Sequence, residues 1–383
     1  SHEDGENDAD CQCHVCNHCH CVALGMVVKR IFIMAGEASG DMLGAELMRA
    51  LLTKQEGLEI TFCGGPLMEK ATATQSLIPL EKLAMMGFVE VVKKLGQVRQ
   101  NFQIVQQHLR NNPCDVVVLI DYPGFNMRLA KWLNRQGIRQ EGTRVVQWVS
   151  PQVWAWKKGR VKALKSHCDL LVPILAFEQD FLMKHGVASR YMGHPMLDRI
   201  PQQAEVVTKA SILALAPGSR LQEFKSHMAL FAETAALMGM EAMWIRPAHI
   251  NAKAYRALLQ QHAPKAPSHW AINEGMQHVQ GCQLALVASG TATLECTLYG
   301  TAMVVAFRTH PINFLLAKAL VKVPYIALVN LLLNKEVVKE RIQGDCNPQQ
   351  LAKDLQWLLD QPNHAQQLQQ SLREVMGPAH AVN

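Results

Sequence analysis

Residues 30–41, RIFIMAGEASGD, decide the fold. A short apolar run is followed there by two glycines, with small and acidic residues between and after them. The apolar run predicts a strand, and residues 41–52 have the apolar spacing of a helix. Strand signals recur at 116–121, 145–150 and 170–174, with helical patterns between them. Hydrophobic strands that alternate with helices indicate a parallel sheet covered on both faces.

The strand and helix signals form two series, which predicts two domains. The first series pauses over 193–203, a stretch with two prolines and two glutamines, and the second begins with a strand at 211–216. Further strands are predicted at 243–245, 283–288, 303–307 and 325–329. We therefore expect an α/β protein of two Rossmann-like parallel-sheet domains, over 26–199 and 200–383.

Length and composition fit this expectation and exclude a mostly disordered chain. The 383 residues exceed the usual size of one domain, and 49% are hydrophobic against 18% charged. The most apolar segment, 314–333, is interrupted by two lysines, a proline and an asparagine, so no membrane-spanning helix is expected. Because no export signal is visible at the start, we expect a cytoplasmic protein whose membrane contact is peripheral.

Residues 1–25 differ from the rest, since they hold five carboxylates and five cysteines interleaved with histidines. Thiols and imidazoles at this density could bind zinc, or the segment is a disordered extension ahead of Met26. The segment contains no Lys or Arg, so the net charge of +6 becomes +11 for residues 26–383. Such a basic body favours a polyanionic partner, either a nucleic acid or an anionic membrane face.

Two loops of the second series have the chemistry of a nucleotide diphosphate site. After the strand at 283–288 come Ser289, Gly290, Thr291, Ala292 and Thr293, whose small side chains would let backbone amides approach a phosphate. Glu295, one turn further, could accept hydrogen bonds from ribose hydroxyls. A simple helix cap with a capping-box glutamate explains this segment equally well.

The second of these loops tips the balance toward a nucleotide. The strand that begins at 211 runs into Pro217, Gly218, Ser219 and Arg220. The planar guanidinium of Arg220 suits a diphosphate, because it pairs with two oxygens at once.

In the first series, acidic residues follow two predicted strands. The turn after residue 35 brings Glu37, Ser39 and Asp41 toward a cleft, framed by Gly36 and Gly40, although Asp41 would also serve as a helix cap. Asp121 follows the strand at 116–120, where partial desolvation would raise its pKa and make it a candidate general base. A turn aspartate bonded to nearby amides is the structural alternative.

Two further segments carry aromatic and apolar residues beside cations. Ser150, Trp154 and Trp156 precede two lysines and an arginine, a set suited to stacking on a sugar and pairing with a phosphate. The segment 85–95 places apolar side chains next to paired lysines and could contact a headgroup layer or an acyl chain, although an ordinary amphipathic helix is the alternative. Its candidate contact residues are Met85, Met86, Phe88, Val89, Val92 and Leu95.

In this order the motifs resemble those of the lipid-A-disaccharide synthases, inverting glycosyltransferases of the GT-B type. The motifs are AGEASGD at 35–41, MGFVEV at 86–91, IDYPGFN at 120–126, SPQVWAW at 150–156, GHP at 193–195, PGSR at 217–220 and SGTATLE at 289–295. The resemblance implies two domains facing across a cleft, with the last segment crossing back to the first domain, and it leaves a homodimer open.

The resemblance also implies a reaction. UDP-2,3-diacylglucosamine and 2,3-diacylglucosamine 1-phosphate would form a β-1,6-linked tetraacyl disaccharide 1-phosphate and UDP, at the inner face of the bacterial inner membrane. Asp121 and Arg220 match positions important for activity, and 289–295 match the UDP site. We expect Asp121 to be the base, with Glu37 second, and Gly36, Ser39, Gly40, Asp41, Ser150 and the two tryptophans to bind the acceptor.

No metal is expected, since the body carries no Asp-x-Asp pair at a strand end. We expect no cofactor and no nucleic-acid partner either. Arg220 and the loop amides would stabilise the departing diphosphate without a metal. The alternatives are another UDP-sugar enzyme of the GT-B type, such as a peptidoglycan glucosaminyltransferase or an epimerase, and a basic membrane-surface protein without enzymatic activity.

Overall fold

A computed structural model of the chain describes residues 29–83, 95–151, 153, 160–200, 208–311, 314 and 324–377. Two parallel sheets, each covered by helices on both faces, account for these residues. The predicted α/β class with two Rossmann-like halves is confirmed. No helix in the described part of the chain combines the length and the apolar character needed to cross a bilayer.

The first sheet has five parallel strands. They are β1 (Arg30–Ala35), β2 (Glu59–Cys63), β3 (Val116–Ile120), β4 (Arg144–Trp148) and β5 (Leu170–Val172). Across the sheet they run β2-β1-β3-β4-β5, so the winding of the chain reverses between β1 and β3. In sheets of this kind, ligands bind in the crevice beyond the carboxyl ends of such a strand pair.

Alternating side chains divide the core of this half into two layers. In β1, Ile31 and Ile33 face one layer, whereas Phe32 and Met34 face the other. Helices α1 (Ala38–Lys54) and α2 (Pro66–Thr72) cover the first layer. The second layer is covered by α3 (Leu80–Leu83), α4 (Leu95–Asn111), α5 (Pro123–Arg135), α6 (Arg160–His167) and α7 (Ala176–Lys184).

The second sheet has six parallel strands. They are β6 (Ala210–Ala216), β7 (Glu241–Arg246), β8 (Ala271–Glu274), β9 (Cys282–Ala288), β10 (Ala302–Phe307) and β11 (Glu340–Ile342). Their order, β11-β10-β9-β6-β7-β8, reverses between β6 and β9. The second crevice therefore lies beyond these two strands.

Helices on the two faces of the second sheet again belong to separate core layers. One face carries α9 (Leu221–Met238), α10 (Ala252–His262) and α13 (Pro348–Leu359). The other carries α8 (Pro195–Arg199), α11 (Ala292–Leu298), α12 (Leu328–Leu333) and α14 (His364–Met376). Short 3₁₀ turns span Met276–Gly281 and Gln343–Asp345.

The predicted strand at 325–329 is wrong, because residues 328–333 form α12 and the edge strand of the sheet is β11. A short apolar run does not distinguish a strand from a buried helix by its spacing, and here the run VNLLL packs as a helix against α14.

The two halves are joined through α8 and α14. Met196 and Leu197 of α8 are buried with the second sheet, although they precede the predicted boundary at residue 200. At the end of α14, the Met376 carbonyl accepts a hydrogen bond from the Tyr191 hydroxyl. Arg373 Nη2 donates to the Ile200 carbonyl at 2.8 Å. The last helix thus contacts the chain segment that connects the two sheets.

Candidate active site

The crevice of the first sheet brings two of the predicted loops side by side. Ala35 and Ile120 are partners in the β1–β3 pairing, so the loops that follow them leave the sheet together. A side chain at Gly36 would overlap the ring of Tyr122, which shows how closely the loops approach. The same ring stacks on Phe125 at 5.6 Å, and the Tyr122 hydroxyl donates to the Leu83 carbonyl at 3.0 Å.

The backbone around Asp121 is held in an unusual conformation. Asp121 and Tyr122 have φ of 46° and 48°, and Val149 at the end of β4 has φ of 61°. Each such residue costs about 1–3 kcal/mol, so neighbouring contacts must maintain it. Asn126 Nδ2 donates to the Asp121 carbonyl at 2.7 Å, and Gln147 Nε2 donates to the Val149 carbonyl at 3.2 Å. Left-handed residues fixed in this way are typical of functional sites.

The environment of Asp121 suits a general base. Burial, and after it the charge of Glu37, raises the pKa of Asp121 to about 6. Near neutral pH the carboxylate is therefore ionised but retains a substantial affinity for a proton. The structure thus brings together Asp121 and Glu37, which the sequence analysis named as first and second candidate bases.

Asp41 has a different role from the one predicted. Its side chain is 3% exposed, and its oxygens accept hydrogen bonds from the amides of Gly65, Leu67 and Met68 at 2.9–3.1 Å. It therefore stabilises the start of α2, and it neither caps its own helix nor faces the crevice. Those amides lie more than 20 residues further along the chain, beyond the reach of a local motif.

The other predicted acceptor residues are placed as follows. Ser39 is exposed beside Glu37, whereas Gly40 is buried, and a side chain there would crowd Ala35. Ser150 is buried, and its hydroxyl donates to the Pro151 carbonyl at 3.2 Å, so it faces the backbone. Trp154, Trp156 and the predicted contact residues at 85–92 lie outside the described residues, as does the side chain of Leu95.

The crevice of the second sheet holds the two predicted donor loops. Ala216 and Val287 are partners in the β6–β9 pairing, so the loops after β6 and β9 are neighbours. Arg220 is exposed at the start of α9. The amides of Ser219 and Arg220 both donate to Glu223 Oε2, at 2.6 and 3.1 Å. Because the Arg220 amide already donates to Glu223, the part of Arg220 that stays available for other contacts is its side chain.

The loop after β9 keeps its amides available. No described residue accepts a hydrogen bond from the amides of Gly290, Thr291 or Ala292. The Ser289 hydroxyl, by contrast, donates to the Ile326 carbonyl at 3.0 Å, and the Thr293 hydroxyl donates to the Gly290 carbonyl at 2.8 Å. The two hydroxyls fix the shape of the loop, while its three amides have no acceptor among the described residues.

Glu295 lies one turn into α11, and its side chain is partly buried. Burial raises its pKa, and the charge of Arg199 opposes this rise. A partly desolvated carboxylate at this position is suited to accept hydrogen bonds from neutral hydroxyls.

Two residues of this crevice were missed by the sequence analysis. Arg308 is exposed directly after β10, at the carboxyl end of the strand next to β9. Its amide donates to Nε2 of His227 at 3.1 Å, so Nδ1 of this histidine carries the proton and donates to the Pro217 carbonyl. Arg308 could have been found as a cation after an apolar run, whereas His227 lies within α9 and carries no sequence signal.

A buried network behind the crevice holds the segment that contacts Ser289. Glu340 accepts hydrogen bonds from the amides of Ile326 and Ala327, both at 2.9 Å, and from Asn330 Nδ2 at 2.8 Å. Asn330 is fully buried, and its Oδ1 accepts from the amides of residues 337 and 338. The described residues contain no group of three or more His, Cys, Asp or Glu side chains arranged to hold a metal ion.

Comparison with solved structures shows the fold. The UDP-GlcNAc 2-epimerase from Neisseria meningitidis bound to UDP-GlcNAc superimposes with a TM-score of 0.58 at 11% identity, over 92% of this chain and 97% of that one. The spinosyn rhamnosyltransferase SpnG gives a TM-score of 0.55 at 12% identity, over 92% and 98%. The arrangement of the two Rossmann-like halves is therefore that of the GT-B proteins.

Sequence comparison identifies the family. The lipid-A-disaccharide synthase of Pseudomonas putida is 38% identical over 336 residues, which cover 85% of this chain and 88% of that protein. The lipid-A-disaccharide synthase of Pseudomonas syringae pv. tomato is 39% identical over 349 residues, covering 88% and 90%. The family model described as lipid-A-disaccharide synthetase matches residues 31–380. This chain therefore belongs to the lipid-A-disaccharide synthetase family.

Proposed function

We propose that this protein joins UDP-2,3-diacylglucosamine to 2,3-diacylglucosamine 1-phosphate, forming a β-1,6-linked disaccharide 1-phosphate and UDP. The observation that carries the proposal is the pair of crevices in a chain of this family. One crevice holds a carboxylate with a raised pKa, and the other holds unused loop amides beside a guanidinium. A transfer with inversion needs these two functions on opposite sides of the reacting carbon.

Asp121 would activate the acceptor. As the 6-hydroxyl oxygen forms its bond to the anomeric carbon, its proton passes to the Asp121 carboxylate, and the bond from that carbon to UDP breaks with both electrons on the diphosphate. The Glu37 charge supports this role, because it raises the affinity of Asp121 for the proton. Glu37 is also exposed at the same crevice and remains the second candidate for the base.

The second half would bind the donor. We place the diphosphate against the amides of Gly290, Thr291 and Ala292, with the Arg220 guanidinium stabilising the charge that develops on it. Glu295 would hold the ribose hydroxyls. We assign this donor role to the predicted domain 200–383 and the acceptor role to 26–199.

Release of UDP from the two acylated substrates tests this proposal directly. We expect UDP release with the acylated pair and none when UDP-GlcNAc replaces the donor. The rival epimerase would instead act on UDP-GlcNAc alone. Asp121→Asn and Arg220→Ala should each lower kcat/KM by at least about 100-fold. If both variants stay within a few-fold of the wild type, the assigned mechanism is wrong. Light scattering on the same preparation would measure the homodimer that the family resemblance leaves open.

We further propose that the protein binds the inner face of the inner membrane through one basic face. Helices α4, α5 and α6 all cover the same layer of the first half. Together they carry eight Lys and Arg residues and no Asp or Glu: Arg99, Arg110, Arg128, Lys131, Arg135, Arg160, Lys162 and Lys165. Such a one-sided charge is attracted to anionic lipid headgroups.

The electrostatic environment of His167 supports a positive potential on this face. Burial is the main cause that lowers its pKa, and Lys131, Arg139 and Arg135 lower it further. No ion pair among the described residues involves Arg128, Lys131 or Arg135, so their charges are not neutralised within that part of the chain.

Charge reversal tests the membrane proposal. The test is the triple variant Arg128→Glu, Lys131→Glu, Arg135→Glu. It loses three cations, and each contributes about 1 kcal/mol to binding near an anionic surface. Its affinity for phosphatidylglycerol vesicles should therefore fall at least about 100-fold. The matched control reverses three exposed cations of the second half, Lys253, Arg256 and Lys265. Equal loss in both triple variants would refute this choice of face. No sedimentation of the wild type with vesicles would refute peripheral binding.

A further inference from the structure

Arg308 is exposed directly after β10, at the edge of the crevice of the second sheet. Strand β10 lies beside β9, with Ala306 paired to Ala288. One step further, the Ala306 carbonyl accepts a hydrogen bond from the Ser289 amide at 3.1 Å. The loop that begins at Ser289 and the segment that holds Arg308 therefore leave neighbouring strands at the same edge of the sheet.

The backbone at Arg308 is fixed, whereas its side chain is not. The Arg308 amide donates to Nε2 of His227 at 3.1 Å. The next residue, Thr309, forms two hydrogen bonds with the side chain of Gln343: its amide donates to Oε1 at 2.8 Å, and its carbonyl accepts from Nε2 at 3.0 Å. Within the described ranges the Arg308 guanidinium forms no ion pair. A cation on a rigid backbone is well prepared to bind a ligand.

His227 joins the segment of Arg308 to the loop after β6. The imidazole lies in α9 and is 2% exposed. Its Nδ1 donates to the Pro217 carbonyl at 3.0 Å, while its Nε2 accepts from the Arg308 amide. Only a neutral imidazole donates from one nitrogen and accepts at the other, and burial lowers the pKa of His227, which favours this form. Since Pro217 begins the loop that carries Arg220, one side chain holds both arginine-bearing segments.

We propose that Arg308 is a second guanidinium of the donor site, which binds the diphosphate from the side opposite Arg220, and that His227 positions it. The inference rests on the proposed function, which places the diphosphate against the amides of the loop after β9. Because β9 lies between β6 and β10, this loop is flanked by the two arginine-bearing segments. Negative charge develops on the diphosphate as its bond to the sugar breaks, so a second cation stabilises the departing group.

Calorimetry with UDP alone tests Arg308 without the acylated substrates. Arg308→Met should weaken UDP binding at least about tenfold, because it removes a charge-assisted contact to a phosphate. Arg308→Lys keeps the charge but not the planar fork, and it should recover part of the affinity. The matched control is Lys265→Met, since Lys265 is exposed in the turn before β8, at the opposite edge of the sheet. UDP affinity of this control should stay within about twofold of the wild type.

A double-mutant cycle tests the positioning role of His227. His227→Leu removes both hydrogen bonds and should weaken UDP binding about fivefold or more. In the Arg308→Met background the same change should weaken it by about twofold or less, since only the contact with Pro217 is then left to act on UDP. His227→Gln can both donate and accept, so it should recover most of the affinity.

Unchanged UDP affinity in Arg308→Met, together with a loss in Arg220→Ala, would overturn the second guanidinium and leave the donor site standing. An equal effect of His227→Leu in both Arg308 backgrounds would overturn the positioning role. A lowered thermal midpoint of His227→Leu with unchanged UDP affinity would also overturn it, because the role would then be purely structural. If the wild type failed to bind UDP, the donor site itself would be wrong, and this inference with it.

Discussion

Replacing Asp121 with asparagine should stabilise the protein while abolishing its turnover. The folded state holds this carboxyl group in a desolvated crevice next to Glu37, which raises its pKa to about 6. Folding therefore becomes less favourable when the group is ionised. Asparagine is nearly isosteric, carries no charge and tolerates the left-handed backbone that Asp121 adopts at φ of 46°.

The magnitude follows from the two pKa values. For a group whose pKa rises from 3.8 to about 6 on folding, ionisation costs about 3 kcal/mol of stability at pH 8. Because the folded-state pKa is the higher one, this cost is absent below about pH 3.8 and grows as the pH rises toward and through about 6. At pH 5 it is about 1.5 kcal/mol. The asparagine variant should gain these amounts relative to the wild type.

Urea unfolding followed by tryptophan fluorescence at pH 8 and pH 5 measures the gain. Asp115→Asn is a control with the opposite sign, because Asp115 Oδ2 accepts hydrogen bonds from the amides of Lys29 and Arg30 at 2.7 and 2.9 Å. The Arg30 amide is the main cause that lowers the pKa of Asp115, so the ionised form is the stabilising one at pH 8. This control should lose stability at pH 8, and its loss should shrink as the pH falls.

An unchanged urea midpoint for Asp121→Asn at pH 8 would refute the reasoning, as would a gain that does not shrink at pH 5. Turnover by the same variant tests a separate step. Loss of a general base lowers the rate by about 100- to 10,000-fold. If the variant were more stable but kept its activity, the raised pKa of Asp121 would be supported and its role as the general base would be refuted.

Three further outcomes are expected. Asp41→Ala should lower the free energy of unfolding by at least about 2 kcal/mol in chemical denaturation, since it leaves three amides at the start of α2 without their acceptor. Gly36→Ala should lower kcat at least about tenfold by displacing the Tyr122 ring, whereas Gly124→Ala, which meets no atom within 4 Å, should be neutral in the UDP-release assay. Burial lowers the pKa of His227 in the folded protein. Its contribution to stability is therefore present above the unfolded-state pKa near 6.5 and is lost as the pH falls. The thermal midpoint of His227→Ala should accordingly fall less on acidification than that of the wild type.

The most apolar strands of both sheets could be predicted from the sequence, whereas the edge strands β2, β8 and β11 and the order of the strands could not. Apolar runs such as 116–120 and 283–288 identify buried parallel strands, because both faces of such strands are covered. The order of strands depends on crossovers that no local pattern encodes. The adjacency of Asp121 to Glu37, and of Arg220 to the 289–293 loop, therefore became visible only with the sheet order.

Residues whose partners are distant in sequence were the ones misassigned. Asp41 was predicted to be a site residue, yet the three amides that donate to it lie at the start of α2. Glu223 was overlooked, although its position three residues after Arg220 is that of a capping-box partner. Since it takes the amides of the loop after β6, the diphosphate site proposed for this loop depends on the Arg220 side chain.

The Glu340 network has a consequence for synthesis of the protein. The β9 loop is fixed through Ser289 to Ile326, and Ile326 is fixed in turn by Glu340, close to the last two helices. The sheet and core beneath the crevice with Asp121 end at Val187, and these residues leave the ribosome far earlier. Because domains fold as they emerge, a nascent chain would hold a finished acceptor crevice while its nucleotide loop still lacked an anchor.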